Sequence, residues 1–157
     1  MKEALLITDP ARYHDPGLTQ HGRVTEPITL LVIEDDPAFA DLLCEVFSFH
    51  LDLSLIGTAS TISSGLRSSR RLLPHAVLLD YHLSDGTGDC AASLIRQIAP
   101  AIRIIMMSAD VTGVARAAAH RVGADAYIDK CGSVSRFPEL VRRVVVAGPL
   151  VSNRCLP

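Results

Sequence analysis

The chain has little aromatic content and lacks a framework of paired cysteines. Its 157 residues include three tyrosines, four phenylalanines and no tryptophan, so aliphatic side chains must fill the core. The cysteines are Cys44, Cys90, Cys131 and Cys155. They include no C-x-x-C pair, and their spacings fit neither a zinc site nor a disulfide framework. We interpret them as small apolar residues in a reducing cytoplasm.

Long apolar runs and a large net charge are also lacking. No segment approaches the roughly 18 apolar residues of a membrane span. The apolar run at residues 4–7 is too short for a signal peptide. A net charge of −2 gives no general attraction to nucleic acid or anionic membranes. The 48% hydrophobic content can form the core of one domain with flanking segments.

The sequence divides into three parts. Residues 1–27 are polar, contain several prolines and glycines, and are predicted to be a flexible N-terminal extension. Within them, residues 5–10 (LLITDP) look like a strand end, but no amphipathic helix follows. Residues 28–147 carry a regular pattern and are predicted to form one domain, and residues 148–157 are predicted to be a tail or linker.

Short apolar runs alternate with amphipathic segments through the predicted domain. Strands are predicted at 28–33, 53–59, 76–79, 103–107 and 126–128. Helices are predicted at 37–50, 88–98, 111–121 and 134–147, and a further short helix is capped by Ser60 or Thr61 and runs through Arg71. The residues predicted to face inward on the first and last helices are Phe39, Leu42, Leu43, Val46, Phe47, Leu140, Val141, Val144 and Val145. Five βα units with short loops predict a doubly wound parallel sheet with helices on both faces.

Chemically reactive side chains follow the ends of four predicted strands. They are Glu34, Asp35 and Asp36 after the first, Asp80 after the third, Ser108 after the fourth and Lys130 after the fifth. In doubly wound sheets, ligands bind at this edge, near the point where the strand order reverses. Acidic oxygens suit Mg²⁺, and Asp80 can act as a nucleophile that forms an aspartyl phosphate. Taken singly, each residue fits a turn, a cap or a solvated charge, but their convergence on one edge favours phosphoryl transfer.

Four segments together resemble the receiver domain of bacterial two-component response regulators. They are 31–37 (LVIEDDP), 78–83 (LLDYHL) with Gly86 and Gly88 following, 106–109 (MMSA) and 123–130 (GADAYIDK). The resemblance covers residues 28 to about 147. It implies a flavodoxin-like (βα)5 receiver fold, Mg²⁺ as the cofactor, and a sensor histidine kinase or phosphotransfer protein as the phosphoryl donor. It also implies a signalling switch rather than an enzyme, one that assists its own phosphoryl transfer and slow dephosphorylation.

The resemblance assigns a role to each matching residue. Asp80 is the phosphoacceptor, Ser108 the switch hydroxyl, Lys130 the phosphate-binding lysine, and Tyr127 the aromatic residue that turns inward when the hydroxyl engages phosphate. The metal ligands are Glu34, Asp35, Asp80 and the backbone carbonyl of His82. Asp36 is a lesser candidate, because a shift of one residue would make Asp35 and Asp36 the acidic pair. Otherwise Asp36 caps the first helix, with Pro37 at the first helical position.

Two positions depart from the family pattern. Ser84 and Cys131 stand where proline is frequent in the family. Ser84 predicts a looser loop after the nucleophile, and Cys131 puts a cis peptide bond after Lys130 in doubt.

Two arginine clusters are candidate partner surfaces. Arginines cluster on the second helix (Arg67, Arg70, Arg71) and on the last (Arg136, Arg142, Arg143), as solvated helix faces or as a partner surface. The resemblance implies a homodimer through the fourth helix, fifth strand and fifth helix. Residues 146–152 resemble a linker that precedes a DNA-binding domain in one regulator subfamily, although this chain itself is not expected to contact nucleic acid.

Two other functions are compatible with parts of the pattern. One is a receiver-like interaction module that works without phosphorylation, which would be expected to lack the aspartate or the lysine. The other is a phosphatase with an aspartate nucleophile. Such enzymes commonly carry a second acid two residues after the nucleophile, where this chain has His82.

Overall fold

The computed structural model describes residues 26–148. The predicted N-terminal extension, with its strand-like residues 5–10, lies almost entirely outside the described residues, as does the predicted tail after Gly148. No helix among the described residues is long and apolar enough to cross a bilayer.

The central sheet has five parallel strands, namely β1 (Ile28–Ile33), β2 (Leu53–Ala59), β3 (Ala76–Asp80), β4 (Arg103–Ser108) and β5 (Ala126–Asp129). Their order is β2-β1-β3-β4-β5, which confirms the predicted doubly wound fold. The helices are α1 (Pro37–Ser48), α2 (Ile62–Leu72), α3 (Gly88–Ile98), α4 (Val114–Arg121) and α5 (Arg136–Ala147). A hairpin of His82–Leu83 with Gly86–Thr87 lies between β3 and α3. The strand order reverses between β1 and β3, so a crevice is expected at their carboxyl ends.

Apolar side chains fill both faces of the sheet. Successive residues of β1 point to opposite layers, with Leu31 and Ile33 in one and Leu30 and Val32 in the other. The first layer packs against α2, α3 and α4, and the second packs against α1 and α5. Burial on both faces explains why these strands are continuous apolar runs rather than alternating ones.

The buried faces of α1 and α5 differ in part from the prediction. On α1 the buried residues are Ala40, Leu43 and Phe47, whereas Leu42 is 38% exposed. Leu42 precedes Leu43 by one residue, or about 100° of helical rotation, which turns it away from the sheet. On α5, Phe137 is fully buried although the sequence pattern did not select it.

Helix α4 begins later than predicted, at Val114 rather than at residue 111. The Asp110 carboxylate accepts hydrogen bonds from the backbone N–H groups of Thr112 (2.7 Å) and Ala115 (3.0 Å). Gly113 precedes the helix with φ of +84°, in the left-handed region. These bonds hold residues 111–113 in a turn, because a short acidic side chain competes with the helical backbone for its N–H groups.

The loop after β3, which contains Ser84, is anchored to α2. Its two short strands pair with each other. The Asp85 carboxylate then accepts hydrogen bonds from the backbone N–H groups of Ile62 (2.7 Å) and Ser63 (3.3 Å), at the start of α2. These bonds satisfy free N–H groups of a helix terminus and tie the loop to α2. Throughout the described residues the peptide bonds are trans, including the one before Cys131.

A buried carboxylate, that of Asp125, stabilises the side of the sheet where β4 and β5 begin. Asp125 is 2% exposed and forms ion pairs with Arg96 and Arg103, the latter at 3.1 Å. It also accepts a hydrogen bond from the backbone N–H of Ile104 (2.8 Å). These contacts join α3, β4 and the turn before β5.

Replacing Asp125 with asparagine is expected to lower the free energy of unfolding by about 1 to 2 kcal/mol, because an amide oxygen can keep one bond but loses the charge-assisted ones. Urea denaturation followed by circular dichroism measures this change. Asp41→Asn, the same substitution at an exposed position of α1, serves as the control and should leave stability unchanged. Equal stability of the two variants would contradict a structural role for the Asp125 network.

Candidate functional site

Three carboxylates meet at the carboxyl ends of β1 and β3. Glu34 and Asp35 follow β1, and Asp80 is the last residue of β3. One oxygen from each lies within 4.8 Å of those of the other two. Glu34 and Asp80 are buried, whereas Asp35 is exposed, so the group is open to solvent on one side. The sheet therefore places these acids at the crevice where the strand order reverses.

Lys130 links two of these acids. Its Nζ lies 2.6 Å from Oε2 of Glu34 and 2.8 Å from Oδ2 of Asp80. The ammonium group also lies 4.8 Å from the centroid of the Phe39 ring, within the range of a cation–π contact. The backbone N–H of Lys130 donates to the carbonyl oxygen of Ser108 (2.9 Å). This bond fixes the turn after β5 and holds the lysine over the acids.

Burial makes the Glu34 carboxyl group a weaker acid than an exposed glutamate. Desolvation raises its pKa to about 7, and the neighbouring Asp80 carboxylate adds to the increase, whereas Lys130 opposes it. A cation bound at this carboxylate would therefore compete with a proton near neutral pH.

Asp36 lies apart from the three grouped acids and caps α1. Its Oδ1 accepts a hydrogen bond from the N–H of Ala38 (2.9 Å), and Pro37 occupies the first turn of the helix. Its own N–H donates to Oε1 of Glu34 at 3.2 Å. Helix capping thus accounts for Asp36, and Glu34 and Asp35 are the two acids of this segment that lie near Asp80.

Ser108 lies on β4, one residue beyond the Met107 that pairs with Asp80. Its side chain is fully buried, and its Oγ accepts a hydrogen bond from the N–H of Asp110 (3.0 Å). The hydroxyl is therefore joined to the turn that precedes α4.

Tyr127 occupies β5, beside the same turn. Its ring is partly buried, and this burial raises the pKa of its hydroxyl. The guanidinium carbon of Arg116, on α4, lies 4.8 Å from the ring centroid. Tyr127 thus connects β5 with α4 rather than with the three acids.

The residues after Asp80 shape the rest of the site. Tyr81 is buried and His82 exposed, with their rings edge to face at 4.8 Å between centroids. The N–H of Gly88 donates to the carbonyl oxygen of Tyr81 (2.7 Å). A Cβ atom on Gly88 would lie 2.4 Å from the carbonyl oxygen of Asp80, so only glycine allows α3 to begin there. The sequence showed Gly88 in a glycine-rich loop, but the close approach to Asp80 is a property of the folded chain.

The family model for the response regulator receiver domain matches residues 30–142. The chain belongs to this family. It is 29% identical over 125 residues to the probable transcriptional regulatory protein TcrX of Mycobacterium tuberculosis, covering 77% of this chain and 53% of TcrX. Its fold is similar to the signal receiver domain of the response regulator NarL from M. tuberculosis, with a TM-score of 0.73 and 21% identity over 77% of this chain and 98% of that domain.

These similarities concern the receiver domain alone, since the chain spans about half the length of TcrX. A protein-glutamate methylesterase/protein-glutamine glutaminase of Nocardioides is also similar, at 29% identity over 76% of this chain, but the match covers 34% of that protein.

Receiver domains interact with histidine kinases and phosphotransfer proteins, and most of them are not enzymes. This receiver is homologous to transcriptional response regulators. The acids and the lysine are all present, which disfavours a module that works without phosphorylation.

Proposed function

We propose that this receiver accepts a phosphoryl group on Asp80 from the phosphohistidine of a sensor histidine kinase or phosphotransfer protein, and then changes its interaction surface. The observation that supports the proposal is the pairing of Lys130 with both Asp80 and Glu34 beside an acidic group open to solvent. The buried nucleophile Asp80 thus lies within contact distance of the Lys130 ammonium group, and the acidic group is open to solvent on one side.

The side chains can account for the transfer step. An oxygen of the Asp80 carboxylate attacks phosphorus, the phosphorus–nitrogen bond of the donor breaks, and the electron pair leaves with the imidazole, which takes up a proton. Lys130 lies 2.8 Å from Asp80 Oδ2, so its ammonium can pair with a phosphoryl oxygen once the acyl phosphate has formed. Phosphoryl transfer depends chiefly on such positioning and charge stabilisation.

The acidic group fits a divalent cation. Three carboxylates converge within 4.8 Å, and Lys130 supplies a single positive charge. The carboxylates of Glu34, Asp35 and Asp80 and the backbone carbonyl of His82 are oxygen donors of the kind that Mg²⁺ prefers. When bound, Mg²⁺ would offset the negative charge of the incoming phosphoryl group.

Ser108 and Tyr127 are proposed to pass the change on to the surface. The Ser108 hydroxyl accepts a hydrogen bond from Asp110 N–H and can donate its own proton to a phosphoryl oxygen. Asp110 also anchors Thr112 and Ala115, so a movement of Ser108 toward that oxygen would be passed to the turn before α4, beside Tyr127. Phosphorylation would then favour a second arrangement of α4 and β5.

The proposed output surface is the face of α4, β5 and α5. A groove of about 610 Å³ runs along it, lined by residues of both charges that include Arg116, Asp129, Arg136, Glu139 and Arg143. Such a mixed surface suits a two-fold homodimer, in which each charge can meet its opposite on the second copy. The receiver would act on transcription through that assembly, in the cytoplasm and without touching nucleic acid itself.

Incubation with acetyl phosphate and Mg²⁺, followed by intact-mass measurement, tests the proposal. One acid-labile phosphate per chain is expected with Mg²⁺, and none with EDTA in its place. Absence of uptake both from acetyl phosphate and from a phosphorylated histidine phosphotransfer protein would instead favour an interaction module. Sustained hydrolysis of small phosphate esters would indicate a phosphatase.

A further inference from the structure

An apolar groove with a basic rim lies between α2 and α3. It has a volume of about 620 Å³ and is lined by Leu66, Leu94, Ile98, Arg67, Arg70 and Arg71. Leu94 is 40% exposed and Ile98 is 45% exposed. Both helices run away from the side of the sheet that carries Asp80, and these residues lie in their middle and last turns. The groove is therefore separate from the phosphoryl-transfer site.

The spacing of the lining residues forms two rows. Leu94 and Ile98 are four residues apart and share one face of α3, and Arg67 and Arg71 are four apart on α2. One row is apolar and the other cationic. A helix of matching character could thus lay its apolar residues along α3 and its charged residues along α2.

The positive charge of this rim is not neutralised within the described part of the chain. Helix α2 (ISSGLRSSRRL) contains no acidic residue, and none of its three arginines belongs to a salt bridge of residues 26–148. The helix dipole favours basic side chains in the last turn, which includes Arg70 and Arg71. It does not account for Arg67 or for the apolar row beside them.

We infer that this groove binds an acidic amphipathic helix of a partner protein. Helix-in-groove recognition uses apolar anchors at spacings of three and four residues, as the apolar row would accommodate. Guanidinium groups bind carboxylates through paired hydrogen bonds, so a rim of arginines favours glutamate or aspartate on the partner. The two rows, each with residues four apart, match the repeat of a helix, which an anionic membrane surface lacks. The site is additional to the phosphorylation switch and does not depend on it.

Binding of a designed peptide to the full chain tests the inference. The probe is a fluorescein-labelled helix of about four turns, with leucines on one face and glutamates flanking them. Its control is a scrambled peptide of the same composition. In NMR spectra of the ¹⁵N-labelled protein, the designed peptide is expected to shift the signals of α2 and α3, and the scrambled peptide is not.

Matched variants separate the charge of the rim from the apolar row. Arg67→Glu, Arg70→Glu and Arg71→Glu combined should weaken binding roughly tenfold in fluorescence polarisation. The corresponding triple lysine variant keeps the charge but loses the paired hydrogen bonds, so it should weaken binding less than the triple glutamate variant does. Leu94→Ser with Ile98→Ser should also weaken binding, whereas Val146→Ser, at an exposed apolar position of α5, should not. Circular dichroism confirms that each variant is folded.

Several results would overturn the inference. Equal binding of the two peptides, unchanged affinity in the triple glutamate variant, or shifts confined to other helices would each show that the groove is not the binding site. Sedimentation with phosphatidylglycerol vesicles, without binding of the peptide, would assign the basic rim to a membrane surface instead.

Discussion

Asp80→Asn is expected to abolish phosphate uptake from acetyl phosphate in the presence of Mg²⁺. An amide oxygen is a far weaker nucleophile than a carboxylate, so no acyl phosphate can accumulate. The substitution preserves the size of the side chain, and Lys130 keeps its contact with Glu34 at 2.6 Å. The site should therefore remain folded while it loses its chemistry. Intact-mass measurement before and after incubation gives the stoichiometry directly.

Asp41→Asn is the matched control for this experiment. It makes the same chemical change on the exposed surface of α1 and should leave phosphate uptake complete. Phosphate that persists on the Asp80 variant would mean that another carboxylate accepts the group. Asp35 would then be the first to examine, because it belongs to the same acidic group and is exposed.

The convergence of the site residues could be predicted because it depends on strand ends alone. The run AVLLD (Ala76–Asp80) is fully buried in β3. In a parallel sheet the carboxyl ends of all strands lie on one side, so an acid after one strand and a lysine after another lie on that same side. Periodicity and the topology of doubly wound sheets suffice for that conclusion.

The geometry of the acidic triplet needed the structure. Three adjacent carboxylates differ by one residue in register, and the pattern allowed either Glu34 with Asp35 or Asp35 with Asp36. In the structure Glu34 is 3% exposed, whereas Asp36 is exposed and accepts a hydrogen bond from the N–H of Ala38 in the first turn of α1.

Other features arise from contacts between segments that are distant in the chain. The position of Lys130 between Glu34 and Asp80 depends on how the ends of β1, β3 and β5 pack together, which spacing does not encode. Asp110 lies in a segment whose alanine-rich continuation favours a helix, and its side-chain bonds to the backbone are specific to the folded turn. Sequence periodicity reports average burial, and it does not detect a side chain that competes with the helical backbone for N–H groups.

Lys130→Ala is expected to destabilise the metal-free protein by about 3 kcal/mol, because it leaves two buried carboxylates without their cation. The Glu34 side chain is fully buried and that of Asp80 is 6% exposed, so water cannot replace the ammonium group easily. For a domain of this size, the loss corresponds to roughly 10 °C in Tm. Phosphate uptake should also fall sharply, since the variant lacks the positive group that would face the phosphoryl oxygens.

Arg121→Ala provides the control for this second prediction. Arg121 pairs with Asp89 at 3.0 Å, but its side chain is 66% exposed, and its loss should cost less than about 1 kcal/mol. Thermal unfolding with EDTA compares the two variants directly. An unchanged Tm in Lys130→Ala would contradict the role of the lysine in neutralising the buried acids.

Titration of Mg²⁺ into the same samples separates loss of charge from loss of packing. If the missing charge causes the instability, a cation that binds Glu34, Asp35 and Asp80 should restore much of it, because binding to the folded state adds to its stability. Mg²⁺ should then raise the Tm of Lys130→Ala more than that of the unsubstituted protein. A smaller rise in the variant would mean that the lysine stem, packed beside the ring of Phe39, matters more than its charge. Equal rises in both proteins would place the cation away from the carboxylates that Lys130 contacts.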